Sequence, residues 1–284
     1  MAIFTNKRKL ARAIISPYSL LTSSLRAMPD FIIIGAAKCG TTSLYNYLIK
    51  HPNIKSAFQK EPSFFNKHFD KGISFYKSQF PFYGQDFITG EASPGYFSYP
   101  PAPQRIAKLL PSVKLIVLLR NPTDRVYSLY HHKLKYLGDK DSYSFKEAIS
   151  KEPERLDKEL ERIINCQNYF NSKNYYQLYK KYYHHAYLQS CVYIKFIKQW
   201  LNIFPREQLL VLKSEDLYND PVNTYEQTLQ FLNLPEHDLQ GYKKHNSNYY
   251  PKMNTATRSY LIEYFQPYNK ILSEYLKIDF DWDK

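Results

Sequence analysis

The stretch Phe31-Ile32-Ile33-Ile34-Gly35-Ala36-Ala37-Lys38-Cys39-Gly40-Thr41-Thr42 reads as a strand, a loop and the start of a helix. Four consecutive apolar residues, mostly β-branched and closed by glycine, form the pattern of a strand buried on both faces. Leu44, Tyr47 and Leu48 then recur at helical spacing, which predicts a helix from Thr41 to Lys50. A strand–loop–helix junction of this kind aims backbone N–H groups and a helix N-terminus at an anion. Against the nucleotide pattern G-x-x-x-x-G-K-[ST], Gly35, Gly40 and Thr42 fit. Thr41 stands where the pattern has lysine, and Lys38 comes earlier. The loop therefore suits phosphate, with its positive charge moved to the middle.

Working outward, Lys114–Leu119 (KLIVLL) is the strongest strand signal in the chain. Ile54–Phe58, Phe87–Thr89 and Gln208–Lys213 are further strand candidates. Helices are expected over Gly72–Phe80, Ala102–Leu110, Asn121 to about Leu137, Ser144–Ile164, Val192–Phe204, Pro221–Leu232 and Thr255–Leu276. Pro122 sits at a first helical position, where its missing N–H costs nothing. Short apolar strands alternating with helices predict an α/β fold: one domain with a mostly parallel central sheet flanked by helices, and a P-loop-like phosphate loop. The boundaries expected are a basic N-terminal arm over 1–29 and the domain over 30–284.

The second anchor is the end of the KLIVLL strand. A nucleotide triphosphatase would place an acid there to hold Mg²⁺. This chain has Arg120, then Asn121-Pro122-Thr123-Asp124-Arg125, with Ser128 two helical turns further on. Ligands of open α/β sheets bind at the carboxyl ends of strands. Lys38 and Arg120 at two such ends predict a ligand with two separated anionic groups and no metal.

Composition agrees with a globular chain that meets an anion. Of 284 residues, 44% are hydrophobic and 23% charged, which excludes a disordered or fibrous protein. The net charge of +13 favours an anionic partner. Cys39, Cys166 and Cys191 are too few and too odd a set for a disulfide framework, which points to a reducing compartment and the cytoplasm. No run approaches the ~18–20 apolar residues of a membrane span. Lys7-Arg8-Lys9 precedes a semi-apolar stretch diluted by serines, with no small-residue cleavage site after it. It reads as a basic arm that offers a peripheral membrane contact.

Taken together, these motifs resemble those of sulfotransferases that use 3′-phosphoadenosine 5′-phosphosulfate (PAPS). Gly35 to Ser43 looks like their 5′-phosphosulfate loop, and Leu118 to Ser128 like their 3′-phosphate motif. The resemblance is closest to the heparan-sulfate type and its bacterial relatives. It extends to Lys60-Glu61-Pro62-Ser63-Phe64-Phe65, to Gly90-Glu91-Ala92-Ser93-Pro94-Gly95-Tyr96 and to Tyr249-Tyr250-Pro251. It implies a PAPS site made by Lys38, Cys39, Gly40, Thr41, Thr42, Arg120, Ser128 and Tyr250. It also implies a catalytic set of Glu61 as base, Lys38 on the leaving phosphate and His132 near the acceptor. The reaction implied is in-line sulfonate transfer, without a metal, to a hydroxyl or amine of a glycan.

Alternatives remain at the level of single residues. From spacing alone Glu61 is equally a loop carboxylate paired with Lys60 or Lys67. His131 and His132 are equally exposed helix histidines. Glu91 and Ser93 either line the acceptor cleft or shape its backbone. Ala92 and Ser247-Asn248 replace cations usual in the heparan-sulfate enzymes, which lowers the charge of the cleft. The Tyr- and Lys-rich stretch 169–187 is either an acceptor-side element or the packed side of a cover helix. At the level of the whole chain, two rivals stand. One is a non-enzymatic polyanion or nucleic-acid binder resting on the charge, without a recognition motif. The other is a nucleotide kinase, which the displaced lysine and Arg120 oppose.

Overall fold

The computed structural model describes residues 17–137, 143–157, 173–239, 241–242 and 250–282. Five strands, β1 (Phe31–Gly35), β2 (Ile54–Ser56), β3 (Ile88–Ala92), β4 (Lys114–Leu119) and β5 (Leu209–Lys213), form one sheet in the order β2-β3-β1-β4-β5. Every pairing is parallel. β1 and β4 lie at the centre and are almost wholly buried, which is why their apolar runs do not alternate.

The helices are α1 (Thr41–Leu48), α2 (Phe64–Lys67), α3 (Gly72–Lys77), α4 (Ala102–Leu109), α5 (Pro122–Leu137), α6 (Phe145–Ser150), α7 (Lys173–His185), α8 (Tyr193–Leu201), α9 (Ser214–Asn219), α10 (Pro221–Leu232) and α11 (Thr255–Leu276). Their buried residues recur at helical spacing. On α8 the buried residues are Tyr193, Ile194, Ile197 and Trp200, and on α11 they are Leu261, Phe265, Asn269, Leu272 and Leu276. Asn121 opens α5 by accepting the Thr123 N–H on its side-chain oxygen (3.0 Å), and Ser144 opens α6 with a full capping box to Glu147.

Helices α3 and α8 end three residues earlier than expected, at Lys77 and Leu201, and three further expectations shift. The third strand runs to Ala92 rather than ending at Thr89, although Gly90 and Glu91 are weak strand formers. Tertiary contacts override propensity here: a side chain at Gly90 would collide with the Phe31 ring at 2.4 Å, and Glu91 is sealed among hydroxyl groups. The long helix expected from Ser144 breaks after Ser150 and resumes over 152–157, with 158–164 outside the described residues. Ile54–Phe58 keeps only three strand residues.

Residues 17–29 pack against the domain. Arg26 is 5% exposed, donates to the Phe80 carbonyl (2.8 Å) and lies over the Phe58 and Phe82 rings. Residues 1–16, which carry the basic run, lie outside the described residues. Among the described residues no helix is long and apolar enough to cross a membrane.

Candidate active site

The site forms at the carboxyl ends of the two central strands. β1 ends in the phosphate loop, and close approach demands glycine at its mouth: a side chain at Gly35 would meet Phe97 Cβ at 2.4 Å. Lys38 takes φ 72° and Gly40 φ 90°, so the chain turns back on itself before α1. At Gly40 a side chain would also meet Leu217 and Tyr218 of α9. The first turn of α1, beginning with Thr41 and Thr42, follows the loop directly, and a helix leaves the N–H groups of its first turn without intrahelical partners.

Cys39 contributes differently from its neighbours. Its side chain is fully buried in the core, its N–H bonds to the Ala36 carbonyl (3.2 Å), and burial pushes its thiol up to about 11. It serves the shape of the turn. Cys191 is buried as well, and both are free thiols. Cys166 lies outside the described residues.

Lys38 is half-buried. Burial lowers its pKa, and the nearby Arg120 and Lys135 cations lower it further. Two further cations thus act on Lys38, an electrostatic setting that favours a multiply charged anion. Arg120 lies at the end of β4, the immediate neighbour of β1, among Tyr250, Asp124 and Tyr218. Its backbone is fixed from both sides. The Tyr193 hydroxyl donates to the Arg120 carbonyl (2.7 Å), and the Asn121 N–H donates to Glu215 (2.8 Å). Ser128 is buried on the following helix, at 4% exposure.

Tyr250 stacks on His131 with centroids 4.6 Å apart and meets Tyr127 edge-on. The two adjacent histidines thus have different surroundings. His131 stacks on Tyr250, whereas His132 feels the charges of Lys38 and Glu61. Burial and then the Lys38 ammonium lower the pKa of His132, and the Glu61 carboxylate partly offsets them. Glu61 occupies a left-handed backbone position (φ 62°), is half exposed, and is paired with Lys60. The ion pair anticipated as an alternative for Glu61 is therefore present. Exposed pairs of this kind contribute only ~0.2–1 kcal/mol, so an incoming acceptor can displace Lys60.

Several residues that shape the site were not singled out from the sequence. Arg125, fully buried, donates from Nε to the Ala37 carbonyl (2.8 Å) and from Nη1 to the Ser190 carbonyl (2.5 Å), clamping the phosphate loop to the turn before α8. Tyr193, Glu215 and Tyr218 hold or border Arg120. Motif position was the only signal for Arg125; the other three carry none.

Glu91 and Ser93 are 0% and 1% exposed, so they shape the cleft's backbone and do not line it. Ala92 is fully buried too, and Ser247 and Asn248 lie outside the described residues. In the tyrosine-rich stretch, Tyr175 and Tyr179 are buried, and Tyr179 donates to the Ser98 carbonyl (2.7 Å). The packed-cover reading holds for those positions, and 169–172 lie outside the described residues.

Buried carboxyls give one stability prediction. Burial raises Glu91 to about 7, partly offset by hydroxyl bonds from Ser93, Tyr76 and Tyr96. Burial likewise raises Glu152 to about 7, against the N–H groups of Gln189, Leu188 and Tyr187. The unfolded chain releases these protons near the ordinary value of 4.5 while the folded chain keeps them. The fold therefore binds more protons between pH 4.5 and 7, and stability falls as pH rises through that window. For Glu91 the loss is on the order of 3 kcal/mol. Melting temperatures of the wild type and of Glu91→Gln should converge or cross between pH 5 and 8, with the variant losing less. Parallel curves would contradict this.

The fold is thus an α/β domain with a phosphate loop at the end of one central strand and Arg120 at the end of the next. The sulfotransferase domain family matches residues 28–270, and the chain belongs to that family. It is an enzyme of sulfonate transfer, and the polyanion-binder and kinase readings give way. The chain is 28% identical to the membrane-associated sulfotransferase kil1 of Dictyostelium discoideum, covering 91% of this chain and 67% of that protein. It is 30% identical to the bifunctional heparan sulfate N-deacetylase/N-sulfotransferase 3 of Homo sapiens, covering 88% of this chain but 30% of that protein. This chain thus spans under a third of the length of that bifunctional enzyme. A solved sulfotransferase from Alicyclobacillus acidocaldarius superposes with a TM-score of 0.71 at 27% identity, over 91% of this chain and all of that one.

Proposed function

We propose that the enzyme transfers the sulfonate group of PAPS to a hydroxyl or amine of a carbohydrate, with Glu61 as the base. The observation that carries this reading is that His132 feels the charges of both Lys38 and Glu61, while Arg120 stands at the end of β4, next to the strand that carries the phosphate loop. The two cationic centres match the two anionic ends of PAPS. The resemblance to enzymes named for heparan sulfate supports a glycan acceptor.

In the reaction the acceptor oxygen or nitrogen forms a bond to sulfur as the bond from sulfur to the bridging phosphate oxygen breaks. The acceptor's proton passes to Glu61. Charge developing on the leaving phosphate is offset by the Lys38 ammonium and by the first-turn N–H groups of α1. His132, neutral in this cationic surrounding, orients the acceptor. Cys39, Gly40, Thr41 and Thr42 shape the 5′ end of the nucleotide site, and Arg120, Ser128 and Tyr250 its 3′ end.

Calorimetry with 3′-phosphoadenosine 5′-phosphate and with ATP, each with and without EDTA, tests the nucleotide. The bisphosphate should bind tightly in EDTA and ATP weakly; equal affinities would sink the reading. A screen of glycan acceptors with labelled PAPS then tests the product. Arg120→Ala should weaken bisphosphate binding by about 10–150-fold, the size of one charge-assisted phosphate contact, and adenosine 5′-phosphate binding far less. An equal loss for both ligands would make Arg120 a general electrostatic or structural residue.

A further inference from the structure

Glu91 is a carboxyl with no solvent exposure that takes no part in the chemistry above, and its contacts lead outward to the base. Its Oε1 accepts the hydroxyls of Tyr76 (2.7 Å) and Tyr96 (3.1 Å), and its Oε2 accepts that of Ser93 (2.5 Å). The Ser93 oxygen in turn accepts the backbone N–H of Ser63 (3.1 Å), and the Tyr96 oxygen accepts that of Phe65 (3.4 Å). Thus a single buried carboxyl orients two hydroxyls that hold the backbone just after Glu61.

That backbone needs holding. Glu61 has φ 62° and Ser63 φ 52°, with Pro62 between them. Non-glycine residues seldom adopt the left-handed region, and a turn built from two of them persists only where its surroundings impose it. Pro62 has no N–H to contribute, so the Ser63 N–H is the donor closest after Glu61 through which the sheet can grip the turn. The grip is rigid because Glu91 lies on β3, in register with Ile32 of β1, the strand that also carries the phosphate loop. Base and nucleotide are thereby set from the same pair of strands.

We propose that Glu91, acting through the Ser93 hydroxyl, is a positioning residue that holds the Glu61–Ser63 turn where the Glu61 carboxylate meets the acceptor. The proposal rests on the reading of Glu61 as the base. An apolar residue would fill the space under Tyr76 and Tyr96 without fixing the direction of either hydroxyl. A carboxyl fixes both tyrosines and the serine at once, and only the serine and Tyr96 reach the loop.

The test is a double-mutant cycle on the full chain, with turnover measured at saturating PAPS and a working acceptor. Ser93→Ala removes the link. Glu91→Gln keeps an oxygen for the tyrosines but turns an NH2 towards Ser93, which then competes with the Ser63 N–H for the serine oxygen. Each should lower kcat by about 10–10²-fold, the size of a small misplacement of a reacting group. Bisphosphate affinity should change by less than about 2-fold, because the phosphate loop is untouched. In a Glu61→Gln background the same substitutions should change kcat by less than about 2-fold, since no base remains to be placed.

Equal losses in both backgrounds would show a merely structural role and overturn the proposal. So would a full kcat in Ser93→Ala. If Glu91→Gln does not fold, Ser93→Ala carries the cycle alone. If Glu61→Gln by itself keeps its turnover, the base assignment fails, and the proposal falls with it for that separate reason.

Discussion

Glu61→Gln is expected to fold, to bind the bisphosphate as the wild type does, and to lose about 10²–10⁴-fold in turnover, the contribution of a positioned base. Glu61 stands on the loop after β2, not on the phosphate loop, so the nucleotide has no direct stake in its charge. Glutamine keeps the side chain's shape but cannot take the acceptor's proton. His132→Ala is the control, because His132 feels the charges of both Lys38 and Glu61. If His132→Ala loses more than Glu61→Gln, with both at saturating PAPS, histidine is the base and the carboxylate only orients it.

Lys38→Ala should cost about 10²–10³-fold in kcat, the effect of removing one preorganised charge from a developing oxyanion. Ground-state PAPS binding should fall less, because Arg120, Lys135 and the α1 N-terminus still attract the anion. Lys38→Arg should restore only part of the rate, since a planar guanidinium does not replace a compact ammonium at one oxygen. The rate should also show an alkaline limb. Lys38 acts in its protonated form, and burial together with Arg120 and Lys135 lowers the pH at which the proton is lost. The rate therefore falls as pH rises through that lowered value. A loss confined to KM, with kcat and the alkaline limb intact, would place Lys38 in binding alone.

The parts of this architecture that lie within one short stretch could be read from the sequence. β1, β4 and α5 fall where the apolar runs and Asn121-Pro122 put them, and the loop between Gly35 and Thr42 lies at the expected strand end. What could not be read is what joins distant stretches. The Arg125 clamp links Ala37 to Ser190, and Glu215 reaches back to Asn121. Glu91 and Tyr96 belong to one motif in the sequence and Tyr76 to none, and only the fold makes the three a single polar group. The short α9, whose Tyr218 borders Gly40, has too few residues to show a period. His131 and His132 are adjacent in sequence, and which one faces the cleft follows from the helix's rotation, which two neighbouring identical residues cannot reveal.

The strand order also bears on how the chain comes off the ribosome. β1 is made first yet sits in the middle, and it can be enclosed only after β3 and β4 have emerged. β4 then offers its far edge until Leu209–Lys213 arrives to pair with Leu115–Leu119. Through that interval a growing chain carries an apolar strand with one open edge, the feature that most readily recruits another copy. Parallel pairing between segments so far apart is intrinsically slow to form. The middle of the chain, from α5 through α8, is therefore synthesised while the sheet is still incomplete. A nascent or truncated chain lacking β5 would be expected to aggregate even though the whole stretch from the phosphate loop to Ser128 is already present.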